Sequence, residues 1–252
     1  MSDPGLGREM GLLDRVVYRF CWSLLWLALK AWFRFRVVGK EHLPKDEPYI
    51  LAPVHRSYLD TPVGGMATSR RLRFLGKESL WNSRFAGRFL TIVGGFPVER
   101  GTADRAALRA CQEVLERGEP MVMFPEGTRR HGPVVLAEEM HAGPAFVAVR
   151  AGVPIVPMGI AGTDHAMPGG SALIRPTKVF LVVGKPIRPP VVEGRVPRRV
   201  LEELTEELRQ QMQVVFDEAQ RMAGRPALPR PALPEPPDGD EGSDPVEGGQ
   251  RL

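Results

Sequence analysis

The stretch Tyr49-Ile50-Leu51-Ala52-Pro53-Val54-His55-Arg56-Ser57-Tyr58-Leu59-Asp60 sets the reading of this chain. An apolar run with strand character ends abruptly in a polar turn. The turn holds a histidine and, five positions later, a carboxylate. An imidazole has its proton affinity near neutral pH and can take a proton from a hydroxyl. A carboxylate at Nδ1 would fix the tautomer and support the imidazolium as it forms. Five residues are about 140° apart on a straight helix, so one helix face cannot hold both; a turn running into a helix start can. The bland alternative is a surface turn opening a helix. A serine hydrolase or thioesterase using Ser57 is a second alternative, although the Gly-x-Ser-x-Gly elbow is absent around Ser57.

Outward from this stretch, strand-like and helical runs alternate. Strands are expected at Phe35–Val38, Tyr49–Pro53, Leu72–Leu75, Gly95–Glu99, Met121–Phe124, Ile155–Ile160 and Val179–Val183. Asp104–Arg117 has helical spacing, with Gly118 as its stop and Pro120 beyond. Shorter and longer helices are expected at Pro144–Arg150 and from Pro197 to about Met222. The alternation predicts an α/β fold with a mostly parallel or mixed sheet of about seven strands flanked by helices. Sites in such sheets lie beyond the carboxyl ends of the strands, and the polar clusters of this chain do follow strands.

Three segments are expected: an N-terminal amphipathic helix within residues 1–35, a folded domain over 36–223, and a Pro/Gly/acid-rich tail over 224–252 that lacks the apolar content to fold alone. Residues 1–9 read as frayed. The helical pattern from Met10 to Arg36 has a longest charge-free run of only Phe20 to Leu29, short of the roughly twenty residues of a span. Arg15, Arg19, Trp26, Lys30 and Arg34 fall on one side and the rest is broadly apolar, which fits a helix lying in a bilayer interface. The alternative is a helix packed on its own domain. The tail nets −3, so the body carries +7 of the overall +4, and an anionic partner is expected. No nucleic-acid module accompanies that charge. Cys21 and Cys111 sit in apolar patterns and read as buried hydrophobes in a reducing compartment, and His and Cys are too scattered for a metal site.

Four clusters carry chemistry. They are His55…Asp60; Gly94 to Arg100, which delivers a guanidinium to a strand end; Phe124-Pro125-Glu126-Gly127-Thr128-Arg129-Arg130; and Val153-Pro154-Ile155-Val156-Pro157. In the third, a free N–H at Gly127, the Thr128 hydroxyl and the Arg129 fork suit phosphate oxygens. In this order the four clusters resemble the glycerolipid acyltransferases, in particular the 1-acylglycerol-3-phosphate acyltransferases, over about Arg36 to Ile187.

The resemblance implies an enzyme that moves a fatty acyl group from acyl-CoA or acyl carrier protein to the hydroxyl of lysophosphatidic acid, giving phosphatidic acid. Glycerol 3-phosphate or another lipid alcohol is the alternative acceptor. The resemblance further implies His55 and Asp60 as the catalytic pair and Arg100, Glu126, Gly127, Thr128 and Arg129 as phosphate contacts. Val153, Pro154, Ile155 and Pro157 would place the acyl donor or acyl chain. No bound cofactor or metal is implied, and the protein would sit peripherally on the cytoplasmic face of an anionic membrane. The sequence itself does not identify the oxyanion donors, backbone amides near the His55 turn being one candidate. Where the family often has Phe-Lys-x-Gly, this chain reads Met140-His141-Ala142-Gly143, exchanging a permanent cation for a pH-dependent one, for which Arg130 could compensate.

Overall fold

The computed structural model describes residues 10–98, 104–168 and 173–227. Arg100, the frayed start at 1–9 and nearly all of the acidic tail lie outside the described residues. Among the described residues, seven strands form one sheet: β1 (Arg36–Val38), β2 (Ile50–Pro53), β3 (Arg73–Lys77), β4 (Gly95–Val98), β5 (Met121–Val122), β6 (Ile155–Ala161) and β7 (Phe180–Val183). Their order is β1-β7-β6-β2-β5-β3-β4. The five from β6 to β4 run parallel. β7 is antiparallel to β6 and parallel to β1, so the sheet is mixed. All four residues of β2 are buried, as a strand covered on both faces requires.

Helices α1 (Leu12–Phe33), α2 (Asp60–Gly64), α3 (Arg84–Ile92), α4 (Asp104–Glu116), α5 (Gly143–Ala151), α6 (Thr163–Ala166) and α7 (Arg198–Met222) flank the sheet. α7 buries Leu204, Leu208, Met212, Val215, Phe216 and Ala219, a stripe at steps of three and four that packs on the sheet. The seven strands and four longer helices fall where the spacing predicts them, within a few residues. α3 was not expected. It is started by Ser83, whose Oγ accepts the Ala86 N–H at 3.4 Å.

α1 is docked side-on. Leu29 and Phe33 are buried and Trp22, Leu25 and Trp26 pack against the core. Trp22 Nε1 donates to the Thr68 carbonyl at 3.1 Å, and Arg88 of α3 reaches Asp14 at 3.0 Å. Its outer side keeps Leu12, Leu13, Val16, Phe20, Leu24 and Leu27 exposed, together with Arg15, Arg19, Lys30 and Arg34. Trp26 is half-buried, stacked with Trp22 and covered by Lys30 Nζ at 5.4 Å from its ring centroid. At 22 residues α1 is long and apolar enough to cross a membrane by length and composition, with 11% of its apolar window buried. The short charge-free run therefore understated its reach.

α7 approaches β6 closely at Gly159, where a Cβ would lie 2.2 Å from the Val215 carbonyl oxygen. That contact is backbone on backbone and cannot be relieved by a rotamer change. Gly159→Ala is expected to cost at least the usual overpacking penalty of about 1–3 kcal/mol, read as a lowered midpoint in urea melts; an unchanged midpoint would show that α7 shifts freely.

Candidate active site

β2, β5 and β6 are parallel neighbours, so the chain leaves all three at the same edge of the sheet. Past β2 it turns at His55–Leu59 and enters α2 at Asp60. The turn brings the histidine and the carboxylate together. His55 Nδ1 donates to Asp60 Oδ2 at 3.0 Å. The same oxygen accepts the N–H groups of Arg56 at 2.5 Å and Ser57 at 2.6 Å, and Oδ1 accepts the Thr163 hydroxyl at 2.6 Å. Asp60 is fully buried, and these four donors hold it as an acceptor. With Nδ1–H committed to the carboxylate, Nε2 carries the lone pair. The imidazole is partly exposed and stacks on Phe124, centroids 4.1 Å apart.

Past β5 the chain enters the turn at Phe124–Arg130. Glu126 is fully buried, and its placement differs from the expected phosphate contact. Its two oxygens accept Arg56 Nη1 at 2.7 and 2.8 Å, and Oε2 also accepts the His55 N–H at 2.7 Å. A carboxylate saturated in this way, and itself anionic, has nothing to offer a phosphate. Arg56 completes its own set through the carbonyls of Gly132 at 3.0 Å and Val134 at 3.0 Å, with its guanidinium over the Phe216 ring. The Arg130 N–H donates to the His55 carbonyl at 2.8 Å, so the two turns are also joined through their backbones.

The rest of the second turn faces solvent. Gly127 and Thr128 are exposed. Gly127 holds φ +63°, and a Cβ there would meet the His141 ring at 2.8 Å, so the turn needs a glycine on both counts. His141 thus reaches the turn from the position where a lysine was anticipated. Arg129 stacks on the Tyr58 ring 3.4 Å from its centroid and donates to the Tyr58 hydroxyl at 2.7 Å. Among the described residues Arg129 has no carboxylate partner, whereas Arg130 is paired with Glu139 at 3.1 Å.

Other expectations are revised by the geometry. The amides of His55, Arg56 and Ser57 are committed to Glu126 and Asp60, so those three are not available as oxyanion donors. Ser57 is buried, its Oγ accepts the Leu59 N–H at 3.3 Å, and among the described residues no bond joins it to His55 Nε2, the nitrogen a serine nucleophile would need. That arrangement does not activate a serine nucleophile. Val153, Pro154, Ile155 and Pro157 are buried in or just before β6, inside the sheet between β2 and β7. None of them lines the apolar cavity of the described residues. An apolar cavity of about 550 Å³ lies elsewhere, between α1, α2, β3 and α3. Trp22, Leu25, Met66, Phe74, Phe89 and Val122 line it, as do Thr61 and Pro62, the residues that follow Asp60. The sequence reading missed Thr163 as well; its only signal was being a polar residue just past a strand parallel to β2.

If Glu126 is scaffold, its loss and that of Arg56 should be coupled. Arg56→Met and Glu126→Leu are each expected to cost about 3–5 kcal/mol, since each strands a buried charge. The double variant should recover a large part of that sum in denaturant melts. Additive losses would refute the pairing as the main role of Glu126.

Comparison with known proteins places this geometry. An acyltransferase family model matches residues 34–161, half of the chain. The 1-acyl-sn-glycerol-3-phosphate acyltransferase of Bacillus subtilis is 26% identical over 197 residues, covering 78% of this chain and 95% of that protein. A Chlamydomonas reinhardtii protein of the same name is 31% identical over 163 residues, 62% of this chain and 48% of its own length, so the chain spans about half of that relative. The crystal structure of the 1-acyl-sn-glycerophosphate acyltransferase PlsC from Thermotoga maritima superposes with a TM-score of 0.64 at 27% identity, covering 85% of this chain and 83% of that one. A family match over half the sequence, joined to the same fold, makes this chain a member of the acyltransferase family and an acyl-transferring enzyme.

Proposed function

We propose that the protein transfers a fatty acyl group from a thioester, acyl-CoA or acyl carrier protein, to the free hydroxyl of lysophosphatidic acid, forming phosphatidic acid. The observation that carries this reading is the His55–Asp60 pair bonded through its backbone to a turn that exposes Gly127, Thr128 and Arg129. The relatives, which are 1-acyl-sn-glycerol-3-phosphate acyltransferases by name, suggest the acceptor. His55 Nε2 takes the hydroxyl proton as the oxygen attacks the thioester carbonyl, while Asp60 supports the imidazolium. The C–S bond breaks and the imidazolium returns the proton to the thiolate. No acyl-enzyme and no bound cofactor is needed; the donor is a co-substrate. Arg129, held flat by Tyr58, grips the acceptor phosphate with Gly127 and Thr128. Arg100, which lies outside the described residues, is kept as a proposed further contact, since it follows β4 in sequence and β4 ends at the same edge of the sheet. Glu126 braces the site instead of binding the phosphate.

The apolar cavity takes the acyl chain. Its walls, α1 and α3, also carry exposed Phe20, Leu24, Phe85 and Phe89. We place these helices against an anionic bilayer, with α1 lying in the interface; spanning would break its bonds to Thr68 and Arg88. Exposed cations near such a surface contribute about 1 kcal/mol each. A water-soluble thioester donor and two free thiols fit the cytoplasmic face.

The test is transfer of labelled acyl groups to lysophosphatidic acid, with glycerol 3-phosphate run alongside. His55→Ala should lower kcat by about 10²–10⁴-fold. Arg129→Ala should raise the acceptor KM roughly tenfold or more, the scale of a charge-assisted bond. Near-normal kcat in the first variant would remove the base, and preference for glycerol 3-phosphate would move the assignment to that acceptor.

The cavity assignment makes a separate prediction. Burial pushes the Cys111 thiol up to about 12, so it stays protonated and unreactive at neutral pH, whereas half-buried Cys21 lines the cavity. A maleimide should consume one thiol in the native protein and two in denaturant. Modification should slow long-chain donors more than short-chain ones, and equal slowing of both would argue against a chain in this cavity.

A further inference from the structure

Beyond the catalytic edge, two grooves meet at the C-terminal end of α1. One, of about 410 Å³, is lined by Arg34, Lys178 and Arg225, with Trp32 and Thr177. These cations come from three separate segments: the C-cap of α1, the run before β7 and the residues just after α7. No carboxylate lines the groove, and among the described residues none of the three cations is paired with one. Arg225 is oriented by a bond from Nη2 to the Thr177 hydroxyl at 2.8 Å. The second groove, of about 350 Å³, is apolar and includes Leu25, Ala28, Leu29 and Ile174. Trp32, half exposed, belongs to both and forms the seam between them.

We propose that this pair of grooves is a binding site for an anionic phospholipid, distinct from the Gly127–Arg129 turn, its apolar trough sharing Leu25, Ala28 and Pro62 with the wall of the acyl cavity. The headgroup phosphate sits among Arg34, Lys178 and Arg225, where guanidinium forks and an ammonium match its oxygens. One acyl chain runs from the Trp32 seam along Leu25, Ala28, Leu29 and Ile174. Charge complementarity selects the occupant: three uncompensated cations next to an apolar trough fit a molecule that is anionic at one end and hydrocarbon at the other. A soluble anion would leave the trough unused, and a neutral lipid would leave the cations unanswered. The location agrees, because the grooves lie on the same helix that exposes Leu24 and Leu27. Leu59, Pro62 and Val63 form part of the trough, so a bound chain would rest on the residues either side of Asp60.

The proposal stands independently of which acceptor the enzyme acylates, and it is tested by calorimetric titration of the full chain with monomeric dihexanoyl-phosphatidylglycerol. Saturable one-site binding is expected. Lys178→Gln/Arg225→Gln should weaken it at least tenfold, while Arg129→Ala stays within twofold of wild type. Should the double variant unfold, Ile174→Asp on its exposed loop provides the same reading from the apolar side. Dihexanoyl-phosphatidylcholine and inorganic phosphate should each bind at least tenfold more weakly than the anionic lipid. Equal binding of phosphate would make this a free-anion site, and equal binding of the choline lipid would deny a role to the cations. Loss of binding in Arg129→Ala, with retention in the double variant, would return the ligand to the catalytic edge. Any of those results, or no saturable binding, overturns the proposal.

Discussion

The site is organised by one buried ion pair, Arg56 with Glu126, whose side chains are 3% and 0% exposed. Taking two charges out of water costs several kcal/mol per ion, and attraction offsets it only where the remaining donors and acceptors are also used. Here they are. Glu126 accepts the His55 N–H besides both bonds from Arg56, and Arg56 spends its other N–H groups on the carbonyls of His55, Gly132 and Val134. The pair thereby fixes the turn after β2 to the turn after β5 and to the loop beyond it. Two loops that could each move alone become one body, and the imidazole is held relative to the Gly127–Arg129 turn without a contact between their side chains.

A second constraint falls on Asp60. Its carboxylate gathers two turn amides, the imidazole and the hydroxyl of Thr163, which arrives from the far end of β6. Such saturation compensates the loss of hydration that burial beside an apolar cavity imposes on the carboxylate. It also divides the labour of the turn. Every amide from His55 to Ser57 is engaged in holding side chains in place, so this part of the turn fixes the imidazole and presents no free N–H of its own. Rigidity at the base and openness at Arg129 are consistent with one site asked to keep a proton acceptor still while admitting an amphiphile.

Much of the fold was legible because its strands are short apolar runs closed by turn residues, and seven such runs admit few arrangements. α3 escaped because Gly87 lowers its propensity and its nine residues make only about two and a half turns, too short for the period to stand out. The bond between His55 and Asp60 was legible because their spacing excluded one helix face and demanded a turn. Glu126 was misread because its neighbours Gly127, Thr128 and Arg129 suggest anion chemistry, and only the fold reveals a partner seventy residues back at Arg56. The run Val153 to Pro157 was misread for a simpler reason: a strand buried on both faces and a wall for an acyl chain ask for the same residues. Thr163 meets Asp60 across 103 positions, a contact that residue spacing cannot encode.

α1 shows how composition underdetermines a helix at a surface. Its length and hydropathy suffice for a span, yet it is bonded along one flank to the loop at Thr68 and to Arg88 of α3. Leaving the domain would surrender those bonds and open the wall of the apolar cavity that Trp22 and Leu25 close. Staying leaves Leu13, Val16, Phe20, Leu24 and Leu27 outside, and burying a large apolar side chain is worth about 1.5–3 kcal/mol. In the proposed interfacial placement, a helix that closes a cavity on its inner side and meets hydrocarbon on its outer side reconciles the two demands. The cavity it closes is also lined by Thr61 and Pro62, the residues that follow Asp60, so a chain proposed to lie there would end beside the His55–Asp60 pair.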